Sequence, residues 1–137
     1  MKSNQKLKQL TLAPLLLLIF LIVGGSSFLP VDIEIDVAPN VLNIQSEGTV
    51  VTVHTSIEYS AVDGASVKLN GVPISWWKSD SRGLFVAKFN MEEVESLVSS
   101  EIIALGNIVL TLEGSSNQGE FIGSQTIKVI CVEAKGR

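Results

Sequence analysis

The chain of 137 residues carries ten lysines and arginines against fourteen aspartates and glutamates, a net charge of −4, with 46% hydrophobic residues, one cysteine and one histidine. An acidic balance repels nucleic acid and anionic lipid, a lone Cys131 excludes an internal disulfide, and a lone His54 excludes a Cys/His metal cluster. The length provides for one domain once the first stretch is set aside.

That first stretch has the three parts of an export signal: basic Lys2, Lys6 and Lys8, an apolar run from Leu15 to Val23, and small residues from Gly24 to Ser27. The run from Leu10 to Val23 is shorter than the roughly 20 apolar residues that span a bilayer, and Gly24 to Leu29 extend it only weakly. Residues 1–27 therefore read as a cleaved signal peptide or as a retained N-terminal hydrophobic anchor helix. Residues 28–137 read as the exported domain, secreted or held at the cell envelope, touching membrane only through residues 10–29 if uncleaved. No cysteine follows the run to take a lipid at this site. Without the three leading lysines the domain keeps seven basic against fourteen acidic side chains, a net charge of about −7.

Period-two alternation dominates the remainder of the chain. From Val31 to Val37 every odd position is apolar and every even one acidic, a strand with one buried and one wet face. Pro39-Asn40 ends it, Val41 to Ile44 begins a short second strand, and Ser46-Glu47-Gly48 supplies a turn. Thr49 to Ile57 is rich in β-branched residues and reads as a central strand with Val51, Val53, Thr55 and Ile57 on one side. Ala61 to Ala65 reads as a loop around Asp63-Gly64. Asn70-Gly71 between two extended runs predicts a tight hairpin, because both residues accept the positive φ of a type I′ turn.

Val72 to Trp76 and Leu84 to Phe89 read as strands separated by the polar segment Lys78 to Gly83. Asn90 with Glu93 three residues on predicts a helix start, and Met91, Val94, Leu97 and Val98 recur at helical spacing, so one short helix covers an end of the fold. Ile108 to Leu112, a turn over Gly114 to Gly119, and a long strand from Glu120 to Val132, bent near Gly123, complete the chain. Cys131 in that last apolar run reads as a small buried side chain. Short strands at roughly ten-residue intervals with one helix predict an all-β, antiparallel, immunoglobulin-like β-sandwich.

The stretch Asp32-Ile33-Glu34-Ile35-Asp36-Val37-Ala38-Pro39-Asn40 through Asn43, Ser46 and Gly48 resembles the opening of a β-sandwich module of exported and cell-surface proteins of archaea and bacteria. That module opens on Asp-Ile-Lys-Pro-Gly followed by Asn-x-x-Ser-x-Gly. Pro39, Asn43, Ser46 and Gly48 match in order, with Ala38 and Asn40 in place of the lysine and glycine. The runs Ser66 to Gly71, Val86 to Phe89 and Gly119 to Ser124 are similar as well. The resemblance implies a non-catalytic surface or accessory module. Some relatives carry an Asp-x-Asp-x-Asp calcium loop before the Val-x-Lys-Phe strand; here the corresponding Lys78-Ser79-Asp80-Ser81-Arg82-Gly83 departs from it, with one acid and two bases.

Candidate sites are few. His54, the sole imidazole, lies mid-strand between Val53 and Thr55, which reads as a packed or surface strand histidine rather than a catalytic base. Asp32, Glu34 and Asp36 share a face at about 7 Å spacing, either a solvated edge that discourages aggregation or a weak cation site for calcium. Adjacent Trp76 and Trp77 point to opposite faces of a strand, one into the core and one free to stack on a sugar or anchor a protein contact. The expected function is a non-enzymatic structural or interaction module of the envelope or extracellular space, without a cofactor. Its partner is a surface protein or glycan, or another copy through an edge strand, with Phe28 to Val37 as the donor. The other reading is an accessory carbohydrate- or calcium-binding module of a secreted system.

Overall fold

A computed structural model describes residues 29–45 and 48–132. The export segment expected over residues 1–27 lies outside them, as do Ser46 and Glu47 of the expected turn. The described residues form β1 (Val31–Asp32), β2 (Ile35–Ala38), β3 (Val41–Asn43), β4 (Val50–Glu58), β5 (Val62–Leu69), β6 (Val72–Pro73), β7 (Trp76–Ser79), β8 (Leu84–Asn90), β9 (Asn107–Ser116) and β10 (Gly119–Ile130). Two short helices, α1 (Met91–Glu95) and α2 (Ser100–Leu105), lie between β8 and β9. The all-β expectation holds, but the expected antiparallel pairing is corrected at one flank, where β1 and β3 both run parallel to β10.

The strands make two sheets. One runs β1-β10-β9-β5-β6, with β3 beside β1 along the same flank of β10; the other runs β2-β4-β8-β7. Alternation puts every second side chain between them. Val37, Val51, Val53, Phe85, Ala87 and Phe89 from the four-stranded sheet meet Val67, Leu69, Leu110, Leu112, Phe121, Ile127 and Val129 from the other in one core. Thr55, the buried polar residue of this core, donates its hydroxyl to the Phe85 carbonyl at 2.6 Å, across a register shift that follows His54 in β4. That bond satisfies a carbonyl which would otherwise be buried without a partner.

The alternating run from Val31 to Val37 is not one strand. Val31 and Asp32 pair parallel with Phe121 and Ile122 in the larger sheet, whereas Ile35 to Ala38 pair antiparallel with β4 in the smaller one. The chain crosses at Ile33-Glu34, and the second flank of the fold repeats the device, since β6 pairs with β5 and β7 with β8, joined by Ile74-Ser75. Each seam between the sheets is thus stitched by one extended stretch that starts in the larger sheet and ends in the smaller.

Each stitch passes over a glycine. At Gly123 an added Cβ would lie 2.8 Å from the Ile33 carbonyl oxygen and 2.8 Å from Ile35 Cγ2. Close backbone approach is the reason this strand interior holds a glycine. Three bonds fasten the crossing, from the Ile33 N–H to the Ile122 carbonyl at 2.9 Å, from the Glu34 N–H to Ser56 Oγ at 2.9 Å and from the Ser56 N–H to the Glu34 carbonyl at 3.0 Å, and beyond it the Val37 N–H donates to Gln125 Oε1 at 2.6 Å. Gly123→Ala is expected to lower stability by about 1–3 kcal/mol, the usual cost of overpacking, because the atom in the way is backbone. An unchanged urea midpoint would count against the crossing.

Three further expectations need correction. Asp63-Gly64 is not a loop but the interior of β5, where Gly64 makes room for the Trp77 ring. One helix becomes two, because Ser99 starts a second by accepting the Ile102 N–H at 3.4 Å and Gly106 ends it. Cys131 is an exposed free thiol rather than a buried one: the ladder of β10 ends at Ile130, so no neighbouring strand covers the next position.

Candidate functional site

Every residue of β7, Trp76-Trp77-Lys78-Ser79, is exposed. The strand forms the edge of the smaller sheet, paired with β8 through Trp76 opposite Lys88, Trp77 opposite Ala87 and Lys78 opposite Val86. Ala87 belongs to the core, so Trp77 points inward and Trp76 and Lys78 outward, in accord with the opposite faces read from their adjacency; the expectation that one indole enters the core is corrected, since both remain exposed at the sheet edge.

The two indoles do different work. Trp77 is 37% exposed and lies over Gly64 of β5, where an added Cβ would fall 2.1 Å from its Cε2. It closes the seam between the sheets. Trp76 is 48% exposed on the outer face, with the Lys88 ammonium 5.5 Å from its ring centroid, within cation–π range. The same ammonium donates to Thr52 Oγ1 at 2.8 Å, which fixes the lysine and with it the ring.

Beside them, Val86 is fully buried although it faces outward, with His54 opposite on one side and Lys78 on the other. Lysine stems cover apolar surface in this way while their charge stays in water. His54 is half-buried in that row, between Asp36 and Val86; its place is that of a packed strand histidine.

The turn after β7 is held by Asp80, whose carboxylate accepts the backbone N–H groups of Arg82 at 2.7 Å and Leu84 at 3.0 Å, and the Arg82 guanidinium at 3.2 Å. The Leu84 N–H first, with Arg82 adding, holds the Asp80 carboxyl below its ordinary range, against a smaller opposing effect of burial. The β7–β8 hairpin therefore presents Lys78 and Lys88, with Arg82 and Asp80 paired to each other.

The three acids of the first alternating run are not gathered. Asp32 belongs to the larger sheet and Asp36 to the smaller, with Glu34 in the crossing between them. Glu34 and Asp36, with His54, Ser56, Arg82 and Leu84, line an open depression of about 400 Å³; Asp32 does not reach it. Among the described residues no group of three or more His, Cys, Asp or Glu is arranged to hold a metal ion, and no helix is long and apolar enough to cross a membrane. The segment read as a donor strand is paired within its own chain at Val31–Asp32 and at Ile35–Val37.

Sequence reasoning found both tryptophans and missed their supports. Lys88 and Thr52 lie 12 and 24 residues from Trp76 in the chain, and only the register brings them beside it. Comparison of the chain with known protein families, with curated proteins and with solved structures finds no match.

Proposed function

We propose that the chain is an exported, non-catalytic structural or interaction module of the cell envelope or extracellular space. In this reading the two sheets form an immunoglobulin-like sandwich presented behind its N-terminal segment, and the β7 edge is its contact surface. The observation that carries the reading is Trp76, an indole on the outer face of an edge strand, propped by a lysine that is itself hydrogen-bonded. Anchors of protein interfaces are enriched in tryptophan, and a side chain held in place before binding loses little entropy on contact.

Trp76→Ala separates contact from folding, because this ring lies outside the core whereas Trp77 closes a seam. Binding of the full chain to its native envelope fraction is expected to fall at least tenfold with no more than a few degrees' change in melting temperature. Full retention by a folded Trp76→Ala protein would remove the tryptophan from the function. A carbohydrate-binding module draws on the same exposed ring, which can stack on a sugar. Retention on purified envelope polysaccharide, lost in the same variant, would favour that reading over a protein partner.

A further inference from the structure

We propose that β7 accepts an extended acidic segment of a partner protein as an added strand, a proposal that rests on reading the β7 edge as the contact surface. Paired residues of an antiparallel ladder alternate between those that exchange backbone bonds and those whose groups point away. The Asp80 N–H donates to the Leu84 carbonyl, so in the register of this hairpin Lys78 and Trp76 bond to β8. The N–H and C=O groups of Trp77 and Ser79 then point away from the sheet, and among the described residues no strand pairs with that side. The other edges are closed or short. The Val37 N–H of β2 is taken by Gln125, β6 is two residues ending in Pro73, and the free flank of β10 carries both β1 and β3.

Charge selects the partner. Of the five lysines and arginines among the described residues, Lys78, Arg82 and Lys88 lie on this hairpin with Asp80 alone against them; the remaining described residues hold Lys68 and Lys128 against eleven acids. The open edge is the basic part of an acidic molecule. A second copy pairing β7 to β7 would bring two such clusters together, and the acidic β2 of a second copy has its Val37 N–H taken by Gln125. The occupant that fits is a foreign strand with acids at every second position, facing Lys78, and β-branched side chains between, facing Trp77. Strand addition of this kind takes affinity from backbone bonds and specificity from alternate side chains.

The probe is a seven-residue peptide with glutamate at alternate positions and threonine between, and its control has lysine for glutamate. With the full chain, the glutamate peptide is expected to slow amide exchange at Trp77 and Ser79 at least tenfold and to bind at least ten times more tightly than the control. Lys78→Glu should weaken it by a similar factor. Ser79→Pro removes an outward N–H without touching a bond to β8 and should abolish binding, whereas adsorption by charge alone would survive it. Equal affinity for both peptides, no binding at millimolar concentration, or binding that leaves the two amides exchanging freely would overturn the proposal. Should Ser79→Pro fail to fold, the exchange rates and Lys78→Glu still decide. Loss of envelope retention in Trp76→Ala alongside any of these negative results would leave the contact surface standing and strike out strand addition alone.

Discussion

Phe121→Ala is expected to destabilise the fold by about 3–5 kcal/mol, the range for deleting a fully buried phenyl ring. Phe121 is among the largest fully buried side chains. It sits in β10, flanked by Val31 on one side and Gly114 on the other. The ring lies over Gly114, where an added Cβ would be 2.8 Å from Phe121 Cζ and 2.9 Å from Val67 Cγ2. No side chain at position 114 can move in to fill the space, so most of the cavity would remain.

The same contact gives the prediction a second arm. Gly114→Ala alone overpacks the site and is expected to cost about 1–3 kcal/mol. In the Phe121→Ala background the new methyl enters vacated space and Val67 can shift, so the cost should approach zero. The coupling in this double-mutant cycle is then more than about 1 kcal/mol, measured by urea unfolding of the four proteins. Additivity within about 0.5 kcal/mol, as for distant sites, would mean that the ring does not rest on the glycine.

Alternation made the strands readable and hid the sheets. Val51, Val53 and Thr55 point inward as their spacing requires, and Phe85, Ala87 and Phe89 follow the same rule in β8. Yet the period of two continues unbroken from Val31 to Val37 while the chain leaves one sheet for the other. A side chain's face is encoded locally, whereas the strand it pairs with is a long-range matter. Glycine was ambiguous for a related reason. Asp63-Gly64 and Gly114 carry turn composition, but in the fold they are places where Trp77 and Phe121 need room. Only the three-dimensional neighbour distinguishes a glycine that bends from one that yields space. The second helix, by contrast, was legible: Ser99 and Gly106 are a start and a stop at ordinary spacing.

The candidate site divides in the same way. Adjacent tryptophans on a strand must face opposite sides, and they do. The basic character of Lys78 to Gly83 was also visible, as one acid among two bases. What the sequence could not reveal is that Lys88 joins them, or that Glu34 and Asp36 part from Asp32. Both depend on pairing, the first on the β7–β8 register and the second on the crossing between sheets.

Asn70→Ala is expected to cost about 2–4 kcal/mol, more than a turn residue ordinarily carries. Asn70 has φ 48° and Gly71 φ 84°, the two positive values of the expected type I′ turn. The left-handed conformation alone costs an ordinary residue about 1–2 kcal/mol. Asn70 also extends the ladder beyond the last β5–β9 pair: its N–H donates to the Thr111 carbonyl at 3.0 Å, its Oδ1 accepts the Thr111 N–H at 2.6 Å, and its Nδ2 donates to the Val109 carbonyl at 3.0 Å. Each side-chain bond is worth about 0.5–1.5 kcal/mol. A series of substitutions separates the two contributions. Glycine restores the backbone freedom without the bonds, and aspartate keeps the acceptor and tolerates the conformation but loses the donor. Stability should fall from asparagine through aspartate and glycine to alanine. Alanine below glycine reverses the order found at ordinary strand positions, where glycine is the weaker residue. If thermal unfolding instead places alanine at or above glycine, the left-handed backbone is not what constrains this position. An aspartate variant equal to the parent would show that the bond to the Val109 carbonyl contributes nothing.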